Sequence, residues 1–223
     1  ADAIAGLRAS AQRTLTADHL CSVNAAIRGA FHDGLTHGLP AFATLSASLG
    51  SGQRTRLAER YAESNAELRE EELAGTPAEQ RKRTAEEAID AAQDLYGRLS
   101  REQKAMLEQR IRTSPYDARR WLAEREARQQ DTLAALAEIA ALPHAGREQA
   151  AREILAALSA SFLQSPREAY RDYQATLTRY NCRLIAEVHA HTTPKQRSRA
   201  LRKLAGWEAD LRGLMAGAMT AAR

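Results

Sequence analysis

Apolar positions along the chain recur at helical intervals. Tyr170, Tyr173, Leu177, Leu184 and Val188 form one stripe at steps of three, four and seven. Ala85, Ala88, Ile89, Ala92, Leu95 and Tyr96 form a second, and Leu201, Leu204, Leu211 and Met215 a third. Leu57, Tyr61 and Leu68 make a thinner stripe on a highly charged segment. Steps of this kind put side chains on one face of an α-helix, and no segment alternates with the period of two that a half-buried strand needs. The pattern predicts an all-α protein, an elongated antiparallel multi-helix bundle without a sheet.

Helix starts are written out more plainly still. Thr76-Pro77-Ala78-Glu79, Ser114-Pro115-Tyr116-Asp117, Ser165-Pro166-Arg167-Glu168 and Thr193-Pro194-Lys195-Gln196 each place a hydroxyl three residues before an acid or amide. In such a box the hydroxyl accepts a first-turn N–H and the acid or amide reaches back to the cap's own N–H. Proline suits the first helical position because its missing N–H would have had no partner there. Ser100-Arg101-Glu102-Gln103 is the same box without proline. Stops agree with starts: Gly75, Gly97 and Pro143 fall where stripes end, and Gly34, Gly38 and Pro40 interrupt the second stretch. The expected helices run over 17–33, 36–48, 52–73, 77–97, 101–112, 116–141, 147–162, 166–191 and 194–217, with a short one over 2–13. Connections are short, so successive helices are expected to pack antiparallel. No low-complexity linker divides the chain, which reads as one domain over 1–223. Its best candidate for a hinge is the brief Pro143-His144-Ala145-Gly146.

Composition narrows function more than it defines it. Aromatic residues are only 5% of the 223, so the helices are expected to be slender and closely packed. The formal net charge is +4, but acids and bases are mixed along the segments, as in Glu67-Leu68-Arg69-Glu70-Glu71-Glu72. Mixing of this kind marks a solvated helix face. A nucleic-acid binder would show a basic run with interleaved aromatics, and there is none. No run of about 18 apolar residues suits a membrane span. The chain opens Ala1-Asp2-Ala3-Ile4 without Met, as a mature or trimmed chain would. Cys21 and Cys182 form no CxxC motif, which leaves one structural disulfide as the pairing to test.

A further pattern recurs at unequal intervals: Leu, a small or hydroxylic residue, two spacers and Gln. Leu99-Ser100-Arg101-Glu102-Gln103 is the full form. Leu49-Gly50-Ser51-Gly52-Gln53 and Thr192-Thr193-Pro194-Lys195-Gln196 are looser, and Leu15-Thr16-Ala17-Asp18-His19 is degenerate. Each is a capping box with a residue before the cap that can staple onto the first turn, which suffices to explain it.

The segments Leu49 to Leu73, Tyr96 to Gln130 and Tyr170 to Leu214, with Trp121-Leu122-Ala123-Glu124-Arg125 the most distinctive piece, resemble the central and C-terminal part of an uncharacterised proteobacterial lipoprotein family. The resemblance implies a periplasmic protein anchored through an acylated cysteine nearer an N-terminus that this chain lacks. Cys21 is not in a lipobox and is not that anchor. The Leu-Ser/Thr-x-x-Gln pattern is also similar to that of the Spy and CpxP group of periplasmic chaperones, which are small helical cradles.

Catalytic chemistry finds no foothold. The histidines stand two (His189, His191) or five (His32, His37) apart, not at the i, i+4 spacing of a helical metal pair. No phosphate loop, nucleophile elbow or His-Cys constellation occurs, so no catalytic residue, metal or cofactor is assigned. Trp121 is flanked by Arg119, Arg120, Arg125 and Arg128, of which Arg125 and Arg128 fall on its own side of a helix. Either Trp121 docks in a helix interface under arginine stems, or it forms with Arg125 and Arg128 a surface for an acidic partner. The sequence therefore reads as a non-enzymatic envelope binding protein, chaperone-like towards a protein partner or unfolded client. A structural adaptor docking to another envelope protein is the alternative.

Overall fold

In a computed structural model the chain is described over residues 2–11 and 15–221, with side chains to residue 215. It is all-α: 87% of it is helical, and among the described residues there are nine helices and no strand. These are α1 (Asp2–Ala11), α2 (Ala17–Ser48), α3 (Ser51–Leu73), α4 (Pro77–Tyr96), α5 (Arg101–Arg112), α6 (Ala118–Ala141), α7 (Arg147–Leu163), α8 (Glu168–Ala190) and α9 (Pro194–Ala221). The last two positions of the expected helix over 2–13 lie outside the described residues.

Three of the boxes form as written. Thr76 accepts the Glu79 N–H at 3.3 Å while Glu79 takes the Thr76 N–H at 2.7 Å. Ser100 and Gln103 do the same at 3.2 and 2.9 Å, and Thr193 and Gln196 at 3.2 and 2.8 Å. Thr16 caps α2 through the His19 N–H at 3.2 Å. At the looser Gly50 motif only half a box exists, since glycine offers no hydroxyl and Gln53 alone reaches back at 2.9 Å.

Two boxes differ from expectation. Ser114 does not open α6; its N–H donates to the Ile111 carbonyl and closes α5. The cap is Asp117, whose carboxylate accepts the Arg119 and Arg120 N–H groups at 3.0 and 3.2 Å. A charged acceptor bonds amides more strongly than a hydroxyl does, and the Tyr173 hydroxyl fixes Asp117 by accepting its N–H at 2.9 Å. Ser165 likewise stands too early. Its hydroxyl accepts the Arg167 N–H at 3.2 Å across a tight turn, and α8 begins at Glu168.

The expected break between 33 and 36 is also corrected, because α2 runs straight through Gly34, Gly38 and Pro40. Proline leaves one carbonyl of the preceding turn without its donor, but Pro40 is exposed and water can serve there. Beyond it, buried Ala43 and Ser46 hold the helix to its neighbours.

Contacts gather the chain into two compact units, the first of residues 1–27, 76–115 and 175–223, the second of 28–75 and 116–174. Pro143–Gly146 lies inside the second unit and is not a boundary. Packing follows these units more than chain order. In the first, α9 packs on α1 and α4, and α5 on α4. In the second, α3 and α7 both pack on α6. Among chain neighbours, α4 packs on α5 and α6 on α7, while α1 and α4 meet α9, and α3 meets α6, across longer stretches of sequence.

The first unit has an apolar core of Ile89, Tyr96, Leu99, Leu107, Val188 and Ala200. A second cluster, Leu15, Leu20 and Cys182, surrounds the bond that joins Cys182 to Cys21. That disulfide spans 161 positions of sequence, and a closed loop of that length costs the unfolded chain much of its freedom. Reduction, or Cys182→Ala, is expected to remove about 2–5 kcal/mol of stability. The check is urea unfolding with and without reductant, together with a count of zero free thiols in the denatured oxidised protein. Two reactive thiols there would overturn the assignment.

Candidate functional site

The sequence singled out Trp121, Arg125 and Arg128, and the second unit brings all three to one cavity. It measures about 370 Å³ and is walled by Tyr61 of α3, Phe162 of α7, Tyr170 of α8 and, from α6, Trp121, Glu124, Arg125 and Arg128. All three singled-out side chains are half-buried. Arg125 bonds neutral groups across to α3, Asn65 Oδ1 at 3.1 Å and Ser64 Oγ at 3.2 Å. Arg128 donates to Glu124 at 2.7 Å and to the Phe162 carbonyl at 3.3 Å, with its guanidinium 5.7 Å from the centre of the Tyr170 ring.

Glu124 is the residue sequence reasoning missed. It is 4% exposed, pairs with Arg128 on its own helix and lies 3.6 Å from Arg167, which in turn pairs with Asp131 at 2.6 Å. Its only local signal is the i, i+4 spacing to Arg128, which is equally common on solvated faces. Both arginines are thus engaged with the protein, and the cavity is held by charges turned inward. Removing one partner of a buried ion pair strands the other, so Glu124→Ala is expected to cost about 3–5 kcal/mol. The much more exposed Glu148→Ala, within the same unit, should cost far less. Urea denaturation of the two variants checks this, and equal effects would refute it.

The first unit holds a larger hollow where two of the capping boxes meet. Gln103 and Gln196 exchange side-chain amide hydrogen bonds at 3.0 Å in each direction. Gln103 also donates to the His191 carbonyl at 2.7 Å and Gln196 to the Arg98 carbonyl at 2.9 Å. Each glutamine therefore caps its own helix and ties that helix to the other. The hollow beside them, about 870 Å³, has Tyr96, Leu99 and Met106 among its walls and Arg98, Lys195, Arg199 and Arg202 around it. Gly97 closes α4 at φ +80°, a conformation that favours glycine, and a Cβ there would stand 3.0 Å from the flexible Arg199 side chain, which would have to shift. The cations went unnoticed in sequence because Arg98 lies far from the other three. Lys195, Arg199 and Arg202 do sit at i, i+4 and i+7 on one face of α9, and that was the legible signal.

Compared with protein-family models, with curated proteins and with solved structures, the chain matches none. Chemistry must be argued from its own residues. Among the described residues no group of three or more His, Cys, Asp or Glu side chains is placed to hold a metal ion. No described helix is long and apolar enough to cross a membrane.

Behind the hollow, Tyr96 and His189 meet at 3.0 Å, hydroxyl to Nδ1. Burial pushes the Tyr96 hydroxyl up to about 12, although the Arg197 charge acts the other way. Burial also lowers the His189 ring, Arg197 adds to that, and the Ala11 backbone opposes it. The fold thus favours the neutral form of both. For His189 the unfolded state takes up protons first, so stability falls as pH drops below about 6.5 towards the lowered folded value. For Tyr96 the unfolded state loses its proton first, so stability falls as pH rises from about 10 towards 12. Unfolding midpoints should form a plateau between those limits, and His189→Gln should flatten the acid side; an unchanged acid slope would count against it.

Proposed function

We propose that this protein is a non-enzymatic helical binding protein of the bacterial envelope, holding other polypeptides in a chaperone-like manner on exposed apolar helix faces. The supporting observation is on α2. Phe31, Leu35, Phe42 and Leu45 fall on one face over about 21 Å of helix. Phe31 is 66% exposed and Leu45 58%. Phe42 lies over Gly38, where a Cβ would come within 2.8 Å of its ring. In the other unit α9 carries Trp207, Leu211, Leu214 and Met215, all exposed. The α9 stripe read in the sequence is therefore only half core, with Leu204 buried and Leu211 and Met215 in solvent. Large apolar side chains grouped on a surface favour contact with another protein, and an apolar helix face suits extended or unfolded clients as well as a groove. The envelope setting rests on the lipoprotein resemblance of the Leu49–Leu73, Tyr96–Gln130 and Tyr170–Leu214 segments.

An adaptor role is the second reading, favoured by the continuity of the α2 stripe, which suits one dedicated partner. Aggregation assays separate the two. The wild-type chain is expected to suppress aggregation of a heat-unfolded model enzyme at near-stoichiometric ratio. Phe31→Ser, Phe42→Ser and Leu45→Ser combined should remove at least half of that effect while leaving the melting temperature nearly unchanged, since exposed positions contribute little to stability. No suppression by the wild type, with a single stoichiometric partner captured from envelope extracts, would favour the adaptor and sink the chaperone reading.

A further inference from the structure

The hollow of the first unit differs from the cavity of the second in what its cations do. Arg98, Lys195, Arg199 and Arg202 are all exposed, and among the described residues none of the four side chains forms a hydrogen bond or ion pair. They face one carboxylate of the lining, Glu102, whose acidity is raised chiefly by the Ser100 side chain. An adjoining depression adds Arg101 and Lys104 against Glu108. The charge is concentrated: four cations to one acid around a single hollow, in a chain whose whole formal charge is +4. Like charges brought together without partners repel each other, and a bound anion relieves that repulsion.

The cap amides are not the recognition element. Ser100 and Thr193 have their own N–H groups taken by Gln103 and Gln196, and the N–H groups of those glutamines are taken in return. Recognition falls to the side chains. Three of the four are arginines, whose planar fork fits two oxygens of a phosphate at once. The walls beneath are apolar, with Leu99, Met106 and the ring of Tyr96, and the volume of about 870 Å³ lies within the range of ligand sites. The exposed Arg199 side chain lies across Gly97, which places its charge at the edge of that wall.

We infer that this hollow binds a small amphiphilic phosphate, its head held by Arg98, Lys195, Arg199 and Arg202 and its apolar body against Leu99 and Met106. The site is separate from the apolar face of α2 and stands or falls independently of it. Isothermal titration of the full chain with octyl phosphate, inorganic phosphate and octyl glucoside tests it. Octyl phosphate is expected to saturate one site per chain below its micellar concentration, with the other two at least tenfold weaker. Arg199→Gln with Arg202→Gln should weaken octyl phosphate at least tenfold with an unchanged helical spectrum. Should that variant misfold, Arg98→Gln with Lys195→Gln carries the same expectation. Arg60→Gln with Arg152→Gln, exposed cations of the other unit, should leave binding unchanged. Cosedimentation with phosphatidylglycerol but not phosphatidylcholine vesicles, competed by octyl phosphate, would assign the phosphate to a lipid headgroup. Octyl phosphate binding without cosedimentation would assign it to a free ligand. Absence of saturable binding, inorganic phosphate binding as tightly as octyl phosphate, or full affinity in the cation variants would each overturn the inference.

Discussion

A helix begins with amide N–H groups that have no partner inside it, and in this protein the way those groups are satisfied decides where the chain turns and what it meets there. The consequence is clearest at Gln103 and Gln196. Each closes a capping box on its own helix, and the two amides then bond each other and the backbone beyond, at His191 and Arg98. A local requirement at two helix starts becomes a tertiary link between α5 and α9. Leu99, 4% exposed, and Leu107 sit directly behind that link in the apolar core. The hollow with its ring of cations exists because the two starts are held side by side.

The two units solve the problem of cohesion differently. The first relies on Ile89, Tyr96, Leu107 and Val188, together with a disulfide that fastens its N-terminal residues to α8. Burial of such side chains contributes about 1.5–3 kcal/mol apiece. Among the described residues the second has the small core cluster of Ala43, Ile139 and Ala151, with Leu122 and Leu136 of α6 also buried, and α3 has no buried residue. Its α3–α6 contact is carried by polar bonds: Asn65 to Gln129, Arg125 to Asn65 and Ser64, and an ion pair of Arg69 with Glu126. Buried Glu124 with Arg128 and Arg167 continues that chemistry inward. Polar interfaces hold geometry well but stabilise little per contact, which makes the second unit the more sensitive to loss of a single charge.

The surfaces follow from this economy of apolar residues. Phe31, Phe42 and Leu45 on α2, and Trp207, Leu214 and Met215 on α9, are large side chains that a chain with 5% aromatic content leaves in solvent. Their outward placement gives the client-binding proposal its physical basis. The cations of the first unit raise a separate question of ligand chemistry.

Helix content and most helix boundaries were determined by the sequence itself, because capping and apolar periodicity act within a few residues. Thr76, Ser100 and Thr193 cap as their spacing requires. Where a neighbour from elsewhere in the fold intervenes, local reasoning failed. Tyr173 anchors Asp117, and α6 starts three residues after Pro115; Ala43 and Ser46 hold the far end of α2, and Pro40 does not break it. The meeting of Trp121, Arg125 and Arg128 was legible because all three lie on one helix. Their engagement with Ser64, Asn65 and Glu124 was decided by the approach of α3 and by burial, neither of which spacing encodes. Arg98 joins Lys195, Arg199 and Arg202 only through the packing of two distant segments, so that grouping belongs to tertiary structure alone. The same holds for the division into two units, since contacts between residues far apart in sequence depend on which faces find each other after the helices have formed.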